Sequence, residues 1–208
     1  RIQRRGDGTV AMLGEMAAAH PELRVIANDT NRGFAAATNQ GVAAARGEVL
    51  CLLNNDTVLT AGWLRVLVDA VWRDPTLGMV GPVSNAVGNE ARIPVGYTAL
   101  EEMPLWAAGW VRDHDGESFP IPMLALFCTV LRRAVWERVG PLDEQFGLGM
   151  FEDDDYSRRV RAEGFDLRCR RDAFVHHWQR AGFKLLGDEA YMRLYEENRA
   201  RFRAKWGS

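Results

Sequence analysis

The sequence predicts an α/β sandwich whose central sheet is mostly parallel. Short apolar runs bounded by turn residues, which are typical of buried strands, alternate with longer stretches of helical spacing. The 208 residues are 47% hydrophobic, which is enough for one domain with a sizeable core. Because strands that alternate with helices usually pair in parallel, these observations favour the α/β class.

The first half of the chain shows the alternation most clearly. Its last helix ends at Asp74-Pro75, because the residue before a proline disfavours helical geometry. The expected order is a helix over 9–19, a strand over 23–28, an alanine-rich helix over 33–47, a buried strand over 48–56 and a helix over 61–73.

The second half is less regular. We expect a strand from 77, a weak helix with Trp106 and Trp110, a strand-to-helix run over 123–140, a helix from about Asp154, short strands over 167–170 and 173–177, and a charged amphipathic helix over 188–206. No repeat or linker is visible, so we expect 1–208 to form a single domain. Because the first residue is Arg1 rather than Met, we also expect a piece of a longer chain.

Composition argues against several classes of protein. The 26 basic and 28 acidic residues nearly balance, so no net field indicates a nucleic-acid partner. No apolar run approaches the ~20 residues of a membrane span, and we expect no signal peptide. The three cysteines lack metal-binding spacing and are odd in number, which favours a reducing, cytoplasmic location over a disulfide framework.

Three polar residues, Asn54, Asn55 and Asp56, end the buried strand over 48–56. In open α/β sheets, ligands bind beyond the carboxyl ends of the strands. A carboxylate there could hold Mg²⁺ or Mn²⁺, which take oxygen ligands and share them with the phosphates of a nucleotide. The alternative is an Asx turn, in which these side chains only cap the next segment.

A second polar group opens the alanine-rich helix. Asn31, Arg32 and Gly33 lie at its N-terminus, a position that favours anions, and are candidates for contact with a phosphate. Asn39 is a weak helix former inside the same helix. We expect Asn39 either to reach a ligand or to bond a neighbouring loop.

Four consecutive carboxylates, Glu152 to Asp155, follow a loop that contains Gly147 and Gly149. An acidic first helical turn is one explanation, since each acid there gains ~0.3–1 kcal/mol from the helix dipole. The other explanation is chemical. Crowded, partly desolvated carboxylates have raised pKa values, which prepares one of them to act as a general base.

The strand over 173–177 ends in His176 and His177, and a neutral imidazole is a metal ligand. Neighbouring side chains of a strand point to opposite faces, so at most one of the two histidines serves a site. A core or surface histidine is the alternative for each.

In order and spacing, these segments resemble family 2 of the GT-A glycosyltransferases. That inverting family includes rhamnosyl- and galactofuranosyltransferases of bacterial surface polysaccharides. The resemblance covers nearly the whole chain and rests on "NRGFAAATNQG", "GEVLCLLNNDTVL", "GPVSNAVGN", "RAVWERVGPLDEQFG", "FEDDDYSRRVRAEGF" and "FVHHW". It implies a three-layer, Rossmann-like GT-A sandwich. The acidic segment and "GPVSNAVGN" most resemble large bacterial proteins with such modules in tandem.

The resemblance also implies roles for single residues. Asp56 matches the metal-binding acid of the family's DXD motif, and Asn54 replaces the first aspartate. Asp153 matches the catalytic base of an "ED" pair with Glu152, and His177, rather than His176, matches a histidine that completes the metal shell. The implied nucleotide-binding residues are Asn31, Arg32, Gly33, Asn39, Asn54 and Asn55.

The activity that the resemblance implies is transfer of a sugar from a nucleoside-diphosphate sugar to a hydroxyl of a glycan or lipid-linked acceptor. The implied cofactor is Mg²⁺ or Mn²⁺, and the anomeric configuration is inverted. Family members begin with two nucleotide-binding strands that this sequence does not show. We therefore expect the chain as given to lack them and to be inactive by itself.

Two other functions stay open. A nucleotidyltransferase-like enzyme would also place metal-binding carboxylates on an α/β fold, and a catalytically degenerate module would bind glycans or a partner. The last helix has a basic end, which we expect to pack on the domain. Peripheral contact with the anionic inner face of the plasma membrane is the alternative for that helix.

Overall fold

The computed structural model describes residues 8–178 and 187–207. Within these ranges the helices are α1 (Thr9–Ala19), α2 (Gly33–Ala44), α3 (Trp63–Arg73), α4 (Met103–Asp113), α5 (Arg133–Val139), α6 (Glu152–Ala162) and α7 (Asp188–Trp206). The strands are β1 (Val49–Leu53), β2 (Thr57–Leu59), β3 (Leu77–Val83), β4 (Ser118–Pro120), β5 (Cys128–Arg132) and β6 (Asp166–His177). Short 3₁₀ turns cover Leu100–Glu102 and Glu144–Phe146.

The strands form one sheet in the order β1-β5-β3-β6-β2, and β4 also pairs with β6. The two longest strands, β3 and β6, pair in parallel, and β1 runs in their direction. β2, β4 and β5 run the opposite way. All seven residues of β3 are buried, which requires cover on both faces of the sheet. The predicted α/β sandwich is therefore confirmed.

The helices follow the apolar spacing of the sequence. In α3, Trp63, Leu67 and Val71 recur every four residues and form the stripe that is buried against the sheet. None of the described helices combines the length and the apolar composition that a bilayer crossing needs.

Most predicted elements are present, with shifted ends. α6 begins at Glu152 rather than near Asp154, and one strand, β6, replaces the two predicted over 167–170 and 173–177. The predicted strand over 23–28 is wrong, since this segment pairs with no strand in the described part of the chain. An extended segment becomes a strand only when a neighbour takes its backbone hydrogen bonds.

The beginning of α2 lies directly against the loop that follows the second 3₁₀ turn. Gly33 has a φ of 82°, and a Cβ on it would overlap the carbonyl oxygen of Gly147. Only glycine suits both the left-handed backbone and this close approach. Gly33 therefore fixes how α2 packs on the segment that leads into α6.

Gly33→Ala should lower the free energy of unfolding by about 2–4 kcal/mol. The alanine would have a strained, left-handed backbone, and its Cβ would overlap the Gly147 carbonyl. Gly41→Ala is the matched control in the same helix, where a Cβ meets no atom within 4 Å. That change should stabilise the protein by about 0.5–1 kcal/mol through helix propensity. Urea unfolding of both variants checks this, and equal effects would contradict the packing argument.

Candidate active site

A cleft of about 950 Å³ lies at the carboxyl end of β1. Side chains from α2, β1, the start of α6, the end of β6 and α7 line it. The lining includes these residues that the sequence singles out: Asn54, Asn55, Asp56, Glu152, Asp153 and His177. Residues far apart in the chain thus meet at one cavity.

The turn at Asn54–Asp56 is held by backbone groups and one hydroxyl. The amide of Asn54 donates to the carbonyl of Phe127 at 2.7 Å, and the Thr57 hydroxyl donates to the Asn54 carbonyl at 2.8 Å. β2 then pairs with the end of β6, with Thr57 opposite His177. The Trp178 amide donates to the Asp56 carbonyl at 2.9 Å, so the pairing carries Asp56 to the side of His177.

The His177 ring presents one nitrogen to Asp56. Its Nδ1 lies 3.0 Å from the carbonyl oxygen of Ala86. A carbonyl can only accept, so Nδ1 carries the proton, and a neutral ring then has its lone pair on Nε2. Nε2 lies 3.2 Å from Oδ1 of Asp56 and, within the described residues, is buried without a hydrogen-bond partner. Two electron-pair donors that face each other in this way suit a divalent cation.

Neighbours fix the orientation of His177. The Phe127 ring stacks on the imidazole at a centroid distance of 4.6 Å. Oδ1 of Asn85 accepts from the His177 amide at 2.8 Å, and Nδ2 of Asn85 donates to the His177 carbonyl at 3.3 Å. The sequence analysis gave Asn85 and Phe127 no role. For Asn85, its place just after a buried strand was the available signal.

The described residues bring two candidate metal ligands together. In residues 8–178 and 187–207, no cluster of three or more histidine, cysteine, aspartate or glutamate side chains is arranged to hold an ion. Asp56 and His177 are a pair, so further ligands to a bound cation would come from water or from a phosphate.

Asp153 lies in the first turn of α6 and lines the same cleft. Burial raises the pKa of its carboxyl well above the ordinary value, and the charges of Glu152 and Asp154 raise it further. A hydrogen bond from the Asp154 amide to Oδ1, at 3.0 Å, offsets part of this rise. The result is a carboxylate with a high affinity for a proton, which a general base needs.

Asp155, the last of the four acids, faces away from this chemistry. It is fully buried, and Trp206 Nε1, Lys205 Nζ and Arg159 Nε contact its carboxylate at 2.8, 2.7 and 2.9 Å. Asp155 therefore anchors the end of α7. The basic end of the last helix packs on the domain through Lys205, in line with the first of its two expected placements.

The loop before α6 has an unusual backbone. Positive φ angles occur at Gly147 and Gly149, and also at Met150 (78°) and Phe151 (69°). A left-handed conformation costs a residue with a side chain ~1–2 kcal/mol. Glu152 and Asp153 follow directly, so the strained residues set the direction in which α6 begins.

Three candidate residues at the start of α2, Asn31, Arg32 and Gly33, do not line the cleft, although the next residue, Phe34, does. Asn31 accepts from the Gly33 amide at 3.0 Å, Gly33 packs on Gly147, and Arg32 is exposed. Of the described residues, the lining includes none of these three and not Asn39. Their predicted contact with a nucleotide stays a prediction.

The side-chain amide of Asn39 makes hydrogen bonds to the loop around Leu142. Oδ1 accepts from the Leu142 amide at 2.9 Å, while Nδ2 donates to the Leu142 carbonyl at 2.9 Å and to Glu144 Oε1 at 3.0 Å. Asn39 thus bonds the neighbouring loop, the second of its two expected placements.

His176 points away from Asp56. Its Nδ1 lies 2.6 Å from the Tyr97 hydroxyl, and burial lowers its pKa. Trp106 and Trp110 stack on each other, and Trp106 contacts Phe174, so both half-buried tryptophans pack against the core. Two residues that the sequence analysis left outside the site, Tyr191 and Tyr195 of α7, do line the cleft.

Two much longer proteins are similar to this chain in sequence. The O-antigen biosynthesis protein RfbC of Myxococcus xanthus is 28% identical over 174 residues, which are 76% of this chain and 13% of that protein. The uncharacterized protein y4gI of Sinorhizobium fredii is 26% identical over 211 residues, covering 94% of this chain and 22% of that protein. The chain thus spans less than a quarter of either relative.

Solved structures share the fold. GalNAc-T7 with UDP, GalNAc and Mn²⁺ has a TM-score of 0.65 at 17% identity, over 85% of this chain and 35% of that one. The mannosyltransferase PcManGT from Pyrobaculum calidifontis, in complex with GDP-Man and Mn²⁺, has a TM-score of 0.59 at 20% identity, over 84% of this chain and 45% of that one. These similarities establish the GT-A fold.

The family model described as Glycosyl transferase family 2 matches residues 5–140, well over half of the sequence. With this match, the GT-A fold and the cleft described above, the chain belongs to glycosyl transferase family 2.

Proposed function

We propose that this chain is the catalytic module of an inverting glycosyltransferase of bacterial surface polysaccharide synthesis. It would transfer a sugar from a nucleoside-diphosphate sugar to a hydroxyl of a glycan or lipid-linked acceptor. The observation that carries the proposal is the meeting of Asp56, His177 and Asp153 at one cleft. The name of the Myxococcus relative supports the polysaccharide role, and the nucleotides and Mn²⁺ of the two structural neighbours support the donor class.

Asp56 and His177 would hold the divalent cation, Mg²⁺ or Mn²⁺. The fit rests on the buried lone pair of His177 Nε2 that faces Asp56. When bound, the cation neutralises the charge that develops on the departing nucleoside diphosphate. Asn54 and Asn55 also line the cleft, and their amides would bond the donor.

Asp153 would act as the general base. Its carboxylate takes the proton of the acceptor hydroxyl while that oxygen attacks the anomeric carbon from the face opposite the leaving diphosphate. One bond to oxygen forms as the other breaks, which inverts the anomeric configuration. The negative charge of Glu152 strengthens the base by raising its pKa.

Asp56→Ala should weaken Mn²⁺ binding at least ~10-fold, because it removes one of two protein ligands. The measurement is calorimetric titration of Mn²⁺ in the presence of a nucleoside diphosphate, with full-length natural protein. Asp69→Ala removes an exposed acid of α3 and is the control for net charge. Equal Mn²⁺ affinities in the two variants would exclude Asp56 as a ligand.

Asp153→Asn should stabilise the folded protein at neutral and alkaline pH. A carboxyl whose pKa is raised on folding contributes full stability below its unfolded pKa, and that contribution is lost as pH rises through the folded pKa. The asparagine variant has no such loss, so its advantage should grow with pH and vanish in acid.

Urea unfolding from pH 4 to pH 9 checks this sign. Asp155→Asn is the matched control, and should destabilise the protein at neutral pH by about 3 kcal/mol because it breaks a buried ion pair. If the advantage of Asp153→Asn over the wild-type protein does not grow as pH rises, the carboxylate is not penalised in the fold.

Asp153→Asn should also lower kcat by ~10²–10⁴, the usual contribution of a general base, with little change in the donor KM. Release of nucleoside diphosphate from a panel of sugar nucleotides measures this in the full-length protein. An undiminished rate would refute the base assignment, and release of pyrophosphate instead would point to nucleotidyl transfer.

A further inference from the structure

We propose that Asn198 of α7 is a positioning residue for Asp153. Its side-chain amide holds the loop 146–151 in the strained conformation from which α6 begins. The inference rests on the proposed function of Asp153 as the general base. It adds the residue that holds this base in position.

Asn198 is fully buried and donates into the loop. Its Nδ2 lies 2.7 Å from the carbonyl oxygen of Phe146, 2.8 Å from that of Gly149 and 3.4 Å from that of Met150. All three loop atoms are acceptors, so they require a donor on this side. The orientation of the amide follows, because only its nitrogen can donate.

The other end of the amide is also fixed. Nη1 of Arg201, one helical turn away, donates to Oδ1 of Asn198 at 2.6 Å. Both ends of the side chain therefore have partners that match their chemistry, and the group cannot flip without losing them. The loop is thus bonded to an oriented, buried amide.

The bonded carbonyls flank the strained residues. The Gly149 carbonyl directly precedes Met150, the Met150 carbonyl directly precedes Phe151, and the Phe146 carbonyl precedes Gly147, which also has a positive φ. Strain of this kind persists only where the surroundings impose it. Glu152 and Asp153 follow at once, so the conformation that Asn198 holds is the one that directs Asp153 into the cleft.

The rest of α7 is attached independently of this bond. Lys205 and Trp206 bind the buried Asp155, and the rings of Tyr195 and Phe202 pack on Phe151 at 5.3 and 5.5 Å. Removing the Asn198 amide should therefore free the loop carbonyls of residues 146–150, while the contacts of α7 with Asp155 and with Phe151, the last loop residue, remain.

Asn198→Ala in the full-length protein should lower kcat at least ~10-fold through misplacement of the base, with donor KM and Mn²⁺ affinity nearly unchanged. The acid limb of the pH–rate profile should move to lower pH, because a released loop admits water to Asp153. Hydrogen exchange of the amides in 147–154, followed by mass spectrometry, should accelerate.

Three companion variants complete the experiment. Arg199 is the next residue on α7, and Arg199→Ala is the matched control. It should leave kcat, the pH–rate profile and the exchange rates unchanged. Arg201→Ala keeps the Asn198 amide donors and should have only a small effect on kcat. Adding Met150→Gly to Asn198→Ala should restore part of kcat, because glycine adopts a φ of 78° without strain.

If Asn198→Ala does not fold, the same measurements are made on Asn198→Ser, which retains one hydrogen-bond donor. A folded variant with a normal kcat and an unmoved acid limb would overturn the proposal, even if its melting temperature falls. Faster exchange with unchanged kinetics would assign Asn198 to stability alone. Full activity of Asp153→Asn would instead refute the proposed base, so the two failures are distinguishable.

Discussion

The pairing of β2 with the last residues of β6 is the constraint on which the site depends. Backbone hydrogen bonds fix Thr57 opposite His177, and Asp56 is carried to the imidazole as a consequence. A shift of the register by one residue would bring the opposite face of β6, and with it His176, towards Asp56. The candidate metal pair is therefore specified by a strand ladder rather than by flexible side chains.

Asp153 and the loop before it are held in an energetically unfavourable state. Asp153 is desolvated beside two further carboxylates, and the loop before it contains two residues with left-handed φ angles. Packing on both sides offsets these costs, since Gly33 of α2 lies against Gly147 and Asn198 of α7 bonds the loop carbonyls. The fold thus stabilises a strained acidic turn from two helices that are distant in sequence, which is the arrangement expected where geometry serves chemistry.

Local patterns in the sequence were sufficient for much of the fold and part of the site. Apolar spacing identified the helices over 9–19 and 188–206, which need no distant partner to be recognised. The segment 23–28 has the composition of a strand and forms none, because a strand also requires a neighbour. Asn39 and Asn198 carry the same signal, an asparagine inside a helix, yet each is committed to a different loop.

By itself, the sequence determined which chemical groups are present and which elements carry them: a polar turn after a buried strand, an acidic first helical turn and a histidine pair at a strand end. These features follow from residue types and short-range spacing. Only the tertiary structure decided that Nε2 of His177 faces Asp56, that Asn31, Arg32 and Gly33 lie outside the cleft lining, and that α7 reaches the loop before Asp153. The physical reason is that strand register and helix docking depend on contacts between residues far apart in the chain, which no local pattern encodes.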